Sequence, residues 1–375
     1  DEPLAIISLD NAAKTQRNTF AMSQGNGDPK MSSSIPNPPI GTRSRRPNGA
    51  LEDFLDNNPD LELGGSKGFI TERAHHQKIF GIHNLKKGVN VIGSVEFTAI
   101  RGPHGTIPIR ILYPESAEDW RDRGEAGALI YCHGGGYTVG SVDEFENGLR
   151  LVAERSGCQV YCFDYRPAPE FRYPVQLDEY DAVIDWVQSE EGRNRGVRAD
   201  RVAGGGDSSG GNLTAAVCLR RRDKGKKPLC AQILVYPTAR LPFDTLAAKE
   251  NSSGYYLHTN GIFSFAAHYM PRPSKANGEL LCDFSVFPTL MSADTTQVLH
   301  HWMHTYLPAT NLQKIWQTSP RRLKLKEAGV DVKWVHHEDL IHGWLQMTPW
   351  CHAAGDATRE LGKLVGAIVY GYEKE

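Results

Sequence analysis

The chain has no basic excess. Its 42 Lys and Arg against 44 Asp and Glu leave a formal net charge of −2, so there is no positive field to hold nucleic acid. It has no apolar run long enough to span a bilayer, which argues against stable membrane insertion. It has no C-x-x-C pair of the kind that holds zinc, and no internal repeat. No signal-like apolar stretch follows Asp1; a leader cleaved from the mature protein stays open. What remains is a 375-residue chain, 40% hydrophobic and 23% charged, the composition of a globular enzyme or binding protein.

Seven cysteines is an odd number, which argues against a complete set of disulfides. Cys132, Cys162, Cys218 and Cys230 sit in apolar surroundings typical of core strands and helices. Buried free thiols in a reducing compartment are expected, which favours a cytoplasmic protein over a secreted one. Two sequons occur, at Asn212 and Asn251. The first lies inside a glycine-rich motif on an expected buried helix and is discounted; the second matters only if the protein is secreted.

Residues 22–50 are rich in Ser, Pro, Gly and Asn and read as irregular. Val95–Glu115 gives two alternating runs around "GPHG", a hairpin signal. Continuous apolar runs then mark buried strands at "GALIYCHGGG" and "CQVYCFDYRPAPE", and further strands are read at "DRVAGGGD", "CAQILVYPTA" and, last, "VDVKWVHHED". Between them, "YPVQLDEYDAVIDWVQSE" and "SSGGNLTAAVCLRRRDKG" have helical character, the second ending in basic residues and Gly225. Strands alternating with helices predict an α/β fold, a parallel sheet covered on both faces. Residues 240–284 break the alternation and carry loose aromatics, which suggests an insertion above the C-terminal edge of the sheet, where ligands bind in such folds.

Three motifs carry chemistry. In "GDSSG", Gly206 to Gly210, G-x-S-x-G follows an expected strand and opens an expected helix. That is the setting of a nucleophile elbow, a sharp turn with Ser208 at its tip. A phosphate-binding glycine turn is the alternative, but no G-K-[ST] and no suitably placed ribose-binding acid supports it. In "HGGG", His133 to Gly136, glycine backbone N–H groups can approach a developing oxyanion. Gly135, Gly136 and the backbone of Ser209 are the candidate donors, and His133 is read as structural. In "LIHGW", Leu340 to Trp344, His342 follows the last expected strand and is the candidate base. His336 and His337 are poorer candidates because they fall within or at the end of that strand. "HHWMH", His300 to His304, suggests two histidines on one helix face, but no carboxylate partners them at metal-ligand spacing, so no metal is expected.

With these residues in hand, the chain resembles the hormone-sensitive-lipase family of α/β-hydrolase carboxylesterases. The resemblance runs from about Val95 to the C-terminus, through "HGGGYTVGS", "DYRPAPEFRYP", "GGGDSSGGNL", "LVYP" and "IHGW" in order. It implies an α/β-hydrolase fold: an eight-stranded, mostly parallel sheet with helices on both faces and a helical cap. It divides the chain into an N-terminal extension, residues 1–90, contributing to the cap, and a catalytic domain, 91–375, with a cap insertion at about 240–284. It assigns the nucleophile to Ser208, the base to His342 and the oxyanion donors to Gly135, Gly136 and Ser209. It gives Asp164, Arg166 and Glu170 no catalytic role, and it requires no cofactor.

One stretch departs from the family. Where the family carries its catalytic acid, this chain reads "HTYLPATNLQKIWQTSPRRLKLKEAGV", with no Asp and no Glu before Glu327. Position for position the acid falls near Asn311. An Asn carbonyl can accept the hydrogen bond from the base's other nitrogen, though it brings no negative charge. Asp294, Asp331 and Asp339 are rivals, the first too early, the second in the last strand, the third close enough to His342 to require a tight turn. The expected activity is hydrolysis of short- to medium-chain carboxylic esters through an acyl-enzyme. The alternatives are a hydrolase-like small-molecule receptor without turnover and an amidase or lactonase on the same machinery. The expected partner is a small-molecule ester; a homodimer stays open.

Overall fold

The computed structural model describes residues 47–64, 67–86, 91–238, 255–270, 299–302, 333–335, 337 and 339–371. The first described element is helix α1, Gly49–Asp56, capped by Asn48, whose Oδ1 accepts from Ala50 N at 3.1 Å. Helix α2, Phe69–Phe80, follows. The "GPHG" turn joins β1, Ser94–Gly102, to β2, Gly105–Tyr113, as an antiparallel hairpin in which Gly102 pairs with Gly105. After a short helix α3, Glu118–Asp122, the chain alternates β3 (Ala126–Cys132), α4 (Val142–Ser156), β4 (Gln159–Phe163), α5 (Val175–Val187) and the short α6 (Glu190–Asn194). It continues with β5 (Val197–Asp207), α7 (Ser208–Asp223), β6 (Gln232–Val235) and α8 (Thr259–Tyr269). β7 (Leu299–Trp302), β8 (Trp334–Val335) and α9 (His352–Tyr370) complete the described elements.

The strands hydrogen-bond in the order β1-β2-β4-β3-β5-β6-β7-β8. β1 and β2 are antiparallel, as are β2 and β4; every other described pair is parallel. Parity along the strands separates two cores. Leu129 and Tyr131 of β3, and Val160 and Cys162 of β4, join Phe145, Leu149 and Val152 of α4 and Leu361 and Val365 of α9. Ala128, Ile130 and Cys132 of β3, and Tyr161 and Phe163 of β4, join Tyr180, Val183 and Ile184 of α5 and Leu213 and Val217 of α7. The continuous apolar runs of the sequence are therefore strands covered on both faces.

In "HHWMH", His300 and His301 lie on strand β7 and not on a helix, and His304 lies outside the described residues. The last strand is short: of the expected "VDVKWVHHED" run, Trp334 and Val335 are described as strand. Of the expected N-terminal extension, residues 1–46 fall outside the described residues, as do most of 240–284 apart from 255–270. Asn212 is buried in α7 and bonded to Tyr137 and Thr238, which disposes of the first sequon; Asn251 lies outside the described residues. Among the described residues Cys132, Cys158, Cys162, Cys218 and Cys351 are buried and Cys230 is half-buried, and none of the six is in a disulfide. No described helix is long and apolar enough to cross a membrane.

A buried charge network fixes α7 against α5. Arg221 is fully buried; it binds Asp181, donates to Asp185 Oδ1 at 2.7 Å and to Gln188 Oε1 at 3.1 Å. Removing one member of a buried charge network leaves the others uncompensated, at a cost of about 3–5 kcal/mol. Arg221→Met is expected to lower unfolding stability by about 3 kcal/mol, at the low end because Lys226 still reaches both aspartates. Urea unfolding followed by circular dichroism measures this; a loss under about 1 kcal/mol would mean that Lys226 alone satisfies the pair.

Candidate active site

β5 delivers the chain to Ser208, and α7 carries it away at once. Ser208 holds a left-handed φ of 52°, a conformation that costs a non-glycine residue about 1–3 kcal/mol. The turn is tight because it grazes the end of β3. A Cβ on Gly206 would lie 2.5 Å from the carbonyl oxygen of Cys132, and one on Gly210 only 2.0 Å from the same atom. Side chains at either flank would push the turn off the strand, which is the physical content of G-x-S-x-G. The Ser208 carbonyl accepts from Thr238 N at 3.0 Å and ties the turn to the chain beyond β6.

His342 comes to this serine from the loop after β8. Its Nε2 lies 2.8 Å from Ser208 Oγ. The ring packs against Tyr236, centroids 4.6 Å apart. Burial pulls the imidazole pKa down to about 3, so the ring is neutral in the resting protein. In the tautomer protonated at Nδ1, Nε2 accepts the Ser208 hydroxyl proton.

The "HGGG" loop lies against the same turn. Gly135 and Gly136 have φ of 107° and 60°, and Tyr137 continues the left-handed run at 62°. At Gly136 a Cβ would also strike the ring of Phe265 at 2.3 Å. Gly134 N donates to Asp207 Oδ1 at 2.8 Å, and Tyr137 N donates to Ser209 Oγ at 3.1 Å. Between these two anchors, the N–H groups of Gly135 and Gly136 donate to no described acceptor. Ser209 is the second residue of α7, so its N–H is one of the first-turn donors that no helix carbonyl satisfies. The positive end of the α7 dipole adds to these donors.

The other candidates fall as follows. His133 is buried and stacked on Tyr165 at 4.3 Å, with Nδ1 at 2.8 Å from the Gly134 carbonyl; burial lowers its pKa. Asp164 accepts from Val142 N at 2.8 Å, Arg166 pairs with Glu179, and Glu170 pairs with Arg73. His337 sits half-buried beside Glu360 at 3.8 Å. Asp339 is exposed and accepts from Asn48 Nδ2 at 3.1 Å. Asn311, Asp294, Asp331 and His336 lie outside the described residues.

Several contacts had no signal in the sequence. The Ser209 side chain bonds the glycine loop, where only a backbone contribution is expected from that position. Asp207 accepts from Tyr131 OH at 2.9 Å as well as from Gly134 N, and burial lifts its pKa to about 7. Tyr256 fills the space a Gly343 side chain would take, 2.5 Å from that Cβ position, and its OH donates to Gln346 Oε1 at 3.2 Å. Gln346 Nε2 in turn donates to Glu144 Oε2 at 3.3 Å. Glu144 is buried, and desolvation raises its pKa to about 8.

The alpha/beta hydrolase fold family matches residues 129–346. Esterase LipI of Mycobacterium tuberculosis is 31% identical over 274 residues, covering 73% of this chain and 82% of that protein. Carboxylic ester hydrolase LipN of the same organism is 28% identical over 306 residues, covering 78% and 74%. Among solved structures, a hyperthermophilic esterase from the archaeon Pyrobaculum calidifontis is similar with a TM-score of 0.71 at 25% identity, covering 86% of this chain and 99% of that one.

Glu144 couples folding to pH. Its pKa rises on folding from 4.5 to about 8, so the folded protein holds the proton more tightly. The stability this contributes is complete below the unfolded value and is lost as pH rises through about 8. Asp207 works in the same direction up to about 7. Unfolding free energy should therefore fall from mildly acid to mildly alkaline pH, and Glu144→Gln should flatten that decline. Urea titrations at a series of pH values measure it; an unchanged slope in the variant would mean that Glu144 does not titrate in this range.

Proposed function

The chain belongs to the α/β-hydrolase-fold family, and on that premise we propose that it is a serine carboxylesterase acting on short- to medium-chain carboxylic esters. The observation that carries this is the 2.8 Å approach of His342 Nε2 to Ser208 Oγ at the tip of a strained turn. His342 takes the Ser208 proton as Oγ attacks the ester carbonyl. The negative charge gathers on the former carbonyl oxygen, facing the N–H groups of Gly135, Gly136 and Ser209. His342 then returns the proton to the departing alkoxide, leaving an acyl-serine and a free alcohol. Water enters, gives its proton to His342, attacks the acyl carbon and releases the acid, and Ser208 regains its proton. The resemblance of the chain to named esterases supports the ester as the substrate class.

The described residues 47–86 and 255–270 are assigned to the cap. A backbone bridge joins Leu63 to Leu257, and Leu63 N donates to Tyr256 O at 2.7 Å. Position 311 is assigned to the third member of the catalytic group, with the Asn311 carbonyl accepting from His342 Nδ1. A neutral acceptor orients the imidazole but leaves the imidazolium without a counter-charge.

Two measurements test these assignments. A panel of p-nitrophenyl esters of rising acyl length reads the activity directly, and a fluorophosphonate should add to one residue, Ser208. Ser208→Ala should retain only the roughly 10³–10⁴-fold acceleration over water that an oxyanion hole and binding supply elsewhere. An adduct on Ser209, or none on an active preparation, would overturn the nucleophile. For the third member, Asn311→Asp should raise kcat by about tenfold or more, since the reverse change in a serine protease costs about 10⁴. An unchanged kcat in Asn311→Asp, with a collapse in Asp294→Asn or Asp331→Asn, would move the role to that aspartate.

A further inference from the structure

We propose that Arg73, on helix α2, is a positioning residue for the oxyanion loop: it makes docking of the cap a condition for the catalytic geometry of Gly135 and Gly136. The proposal rests on the esterase reading above and assigns Arg73 no contact with substrate.

The loop needs such support. Gly135, Gly136 and Tyr137 hold left-handed φ in succession, and a tyrosine is strained there by about 1–3 kcal/mol. Strain of this kind persists only when neighbours over-determine it. From the sheet side, Asp207 holds Gly134 N, Ser209 Oγ holds Tyr137 N, and Asn212 Oδ1 accepts from Tyr137 OH at 2.9 Å. From the cap side, three consecutive loop residues are each met. The ring of Phe265 occupies the space beside Gly136, Tyr269 stacks on Tyr137 at 3.8 Å, and Arg73 Nε donates to the Thr138 carbonyl at 2.7 Å.

Arg73 differs from the two aromatic contacts in being directional and in reaching a second segment. Its Nη2 donates to the Ala168 carbonyl at 2.8 Å, and Ala168 N donates back to the Tyr137 carbonyl at 2.8 Å. One guanidinium thus closes a ring through Thr138, Tyr137 and Ala168. Stacking of Arg73 on Phe69, 4.9 Å from the ring centre, and its two bonds to Glu170 at 2.7 and 2.9 Å fix its plane. The Glu170 pair is solvent-exposed and screened, so the two carbonyl bonds carry the effect. Charged donors to carbonyls are the stronger kind, and the planar fork of arginine serves both where lysine serves one.

The test uses the full chain and two readouts that a merely structural role would not move together. One is kcat against KM on p-nitrophenyl butyrate. The other is the inhibition constant of an alkyl trifluoromethyl ketone, whose tetrahedral adduct with serine places an oxyanion in the loop. Arg73→Met is expected to lower kcat about 10–100-fold with KM changed less than threefold, and to weaken the ketone by a similar factor. Arg73→Lys, which reaches one carbonyl, should fall between. Glu170→Gln, which leaves both carbonyl bonds, should stay within about threefold of the unaltered protein. The inference is overturned if folded Arg73→Met keeps kcat and ketone affinity within about twofold, or loses KM alone. Should Arg73→Met fail to fold, an Arg73→Lys variant with unaltered kcat and ketone affinity overturns it equally. If the unaltered protein turns over no ester, the esterase reading itself falls, and this inference with it.

Discussion

The carboxylate of Asp207 is the point at which strand, nucleophile turn and oxyanion loop meet. It sits at the last residue of β5, immediately before Ser208, and one of its oxygens accepts from both Tyr131 on β3 and Gly134 N in the glycine loop. Burying a carboxylate is expensive unless its lone pairs are satisfied, and a hydrogen bond to a charged group is worth about 1.5–3 kcal/mol. The pKa of about 7 shows that these bonds offset only part of the desolvation. The carboxylate therefore resists any movement that would lose a donor. The result is a loop and a turn held in register by one buried group, next to the Ser208 hydroxyl that His342 meets.

Around that point the fold divides its work. The sheet and the α4–α9 and α5–α7 layers supply rigidity through two apolar cores that share the same strands. The segments at 47–86 and 255–270 supply contacts to the loop that the sheet cannot reach. Two arginines tie these segments to the connection after β4: Arg73 of α2 donates to the Ala168 carbonyl and pairs with Glu170 there, while Arg172 of the connection donates to the carbonyls of Ala267 and Met270 at the end of α8, each at 2.7 Å. Positive charge at a helix C-terminus is favoured by the dipole, so the second contact is favourable twice over.

The parts legible in the sequence are those where backbone approaches backbone. Gly206 and Gly210 are readable because no other residue fits against Cys132, and Gly135 and Gly136 because of their left-handed φ. Buried strands are readable because a strand covered on both faces is continuously apolar. What escapes notice is set by distance in space with no periodic trace. Nothing near Arg73 announces that its guanidinium ends at Thr138, 65 residues on. A tyrosine at left-handed φ looks like any tyrosine, and the hydroxyl of Ser209 looks incidental until Tyr137 N is seen to use it. Histidines are the ambiguous class: with 14 in the chain, position after the last strand singles out His342, whereas "HHWMH" suggests a helix face and its first residues, His300 to Trp302, are strand. The stretch around Asn311 offers neither an acidic residue nor a described conformation, so its role rests on register alone.

The end of helix α9 closes the sheet far from the site. Tyr370 OH donates to the Gly157 carbonyl at 2.7 Å and accepts from Gly127 N at 2.9 Å, joining the last helix to the start of β3. Tyr370 and Gly157 are 213 residues apart, so the latch closes only once residue 370 has been made. Ser208 emerges from the ribosome well before His342, and α9 later than either. A nascent chain therefore exposes a hydroxyl with no base beside it, chemically as inert as any surface serine. The Ser208–His342 contact spans 134 residues of sequence, so it forms only once both stretches have been made and packed.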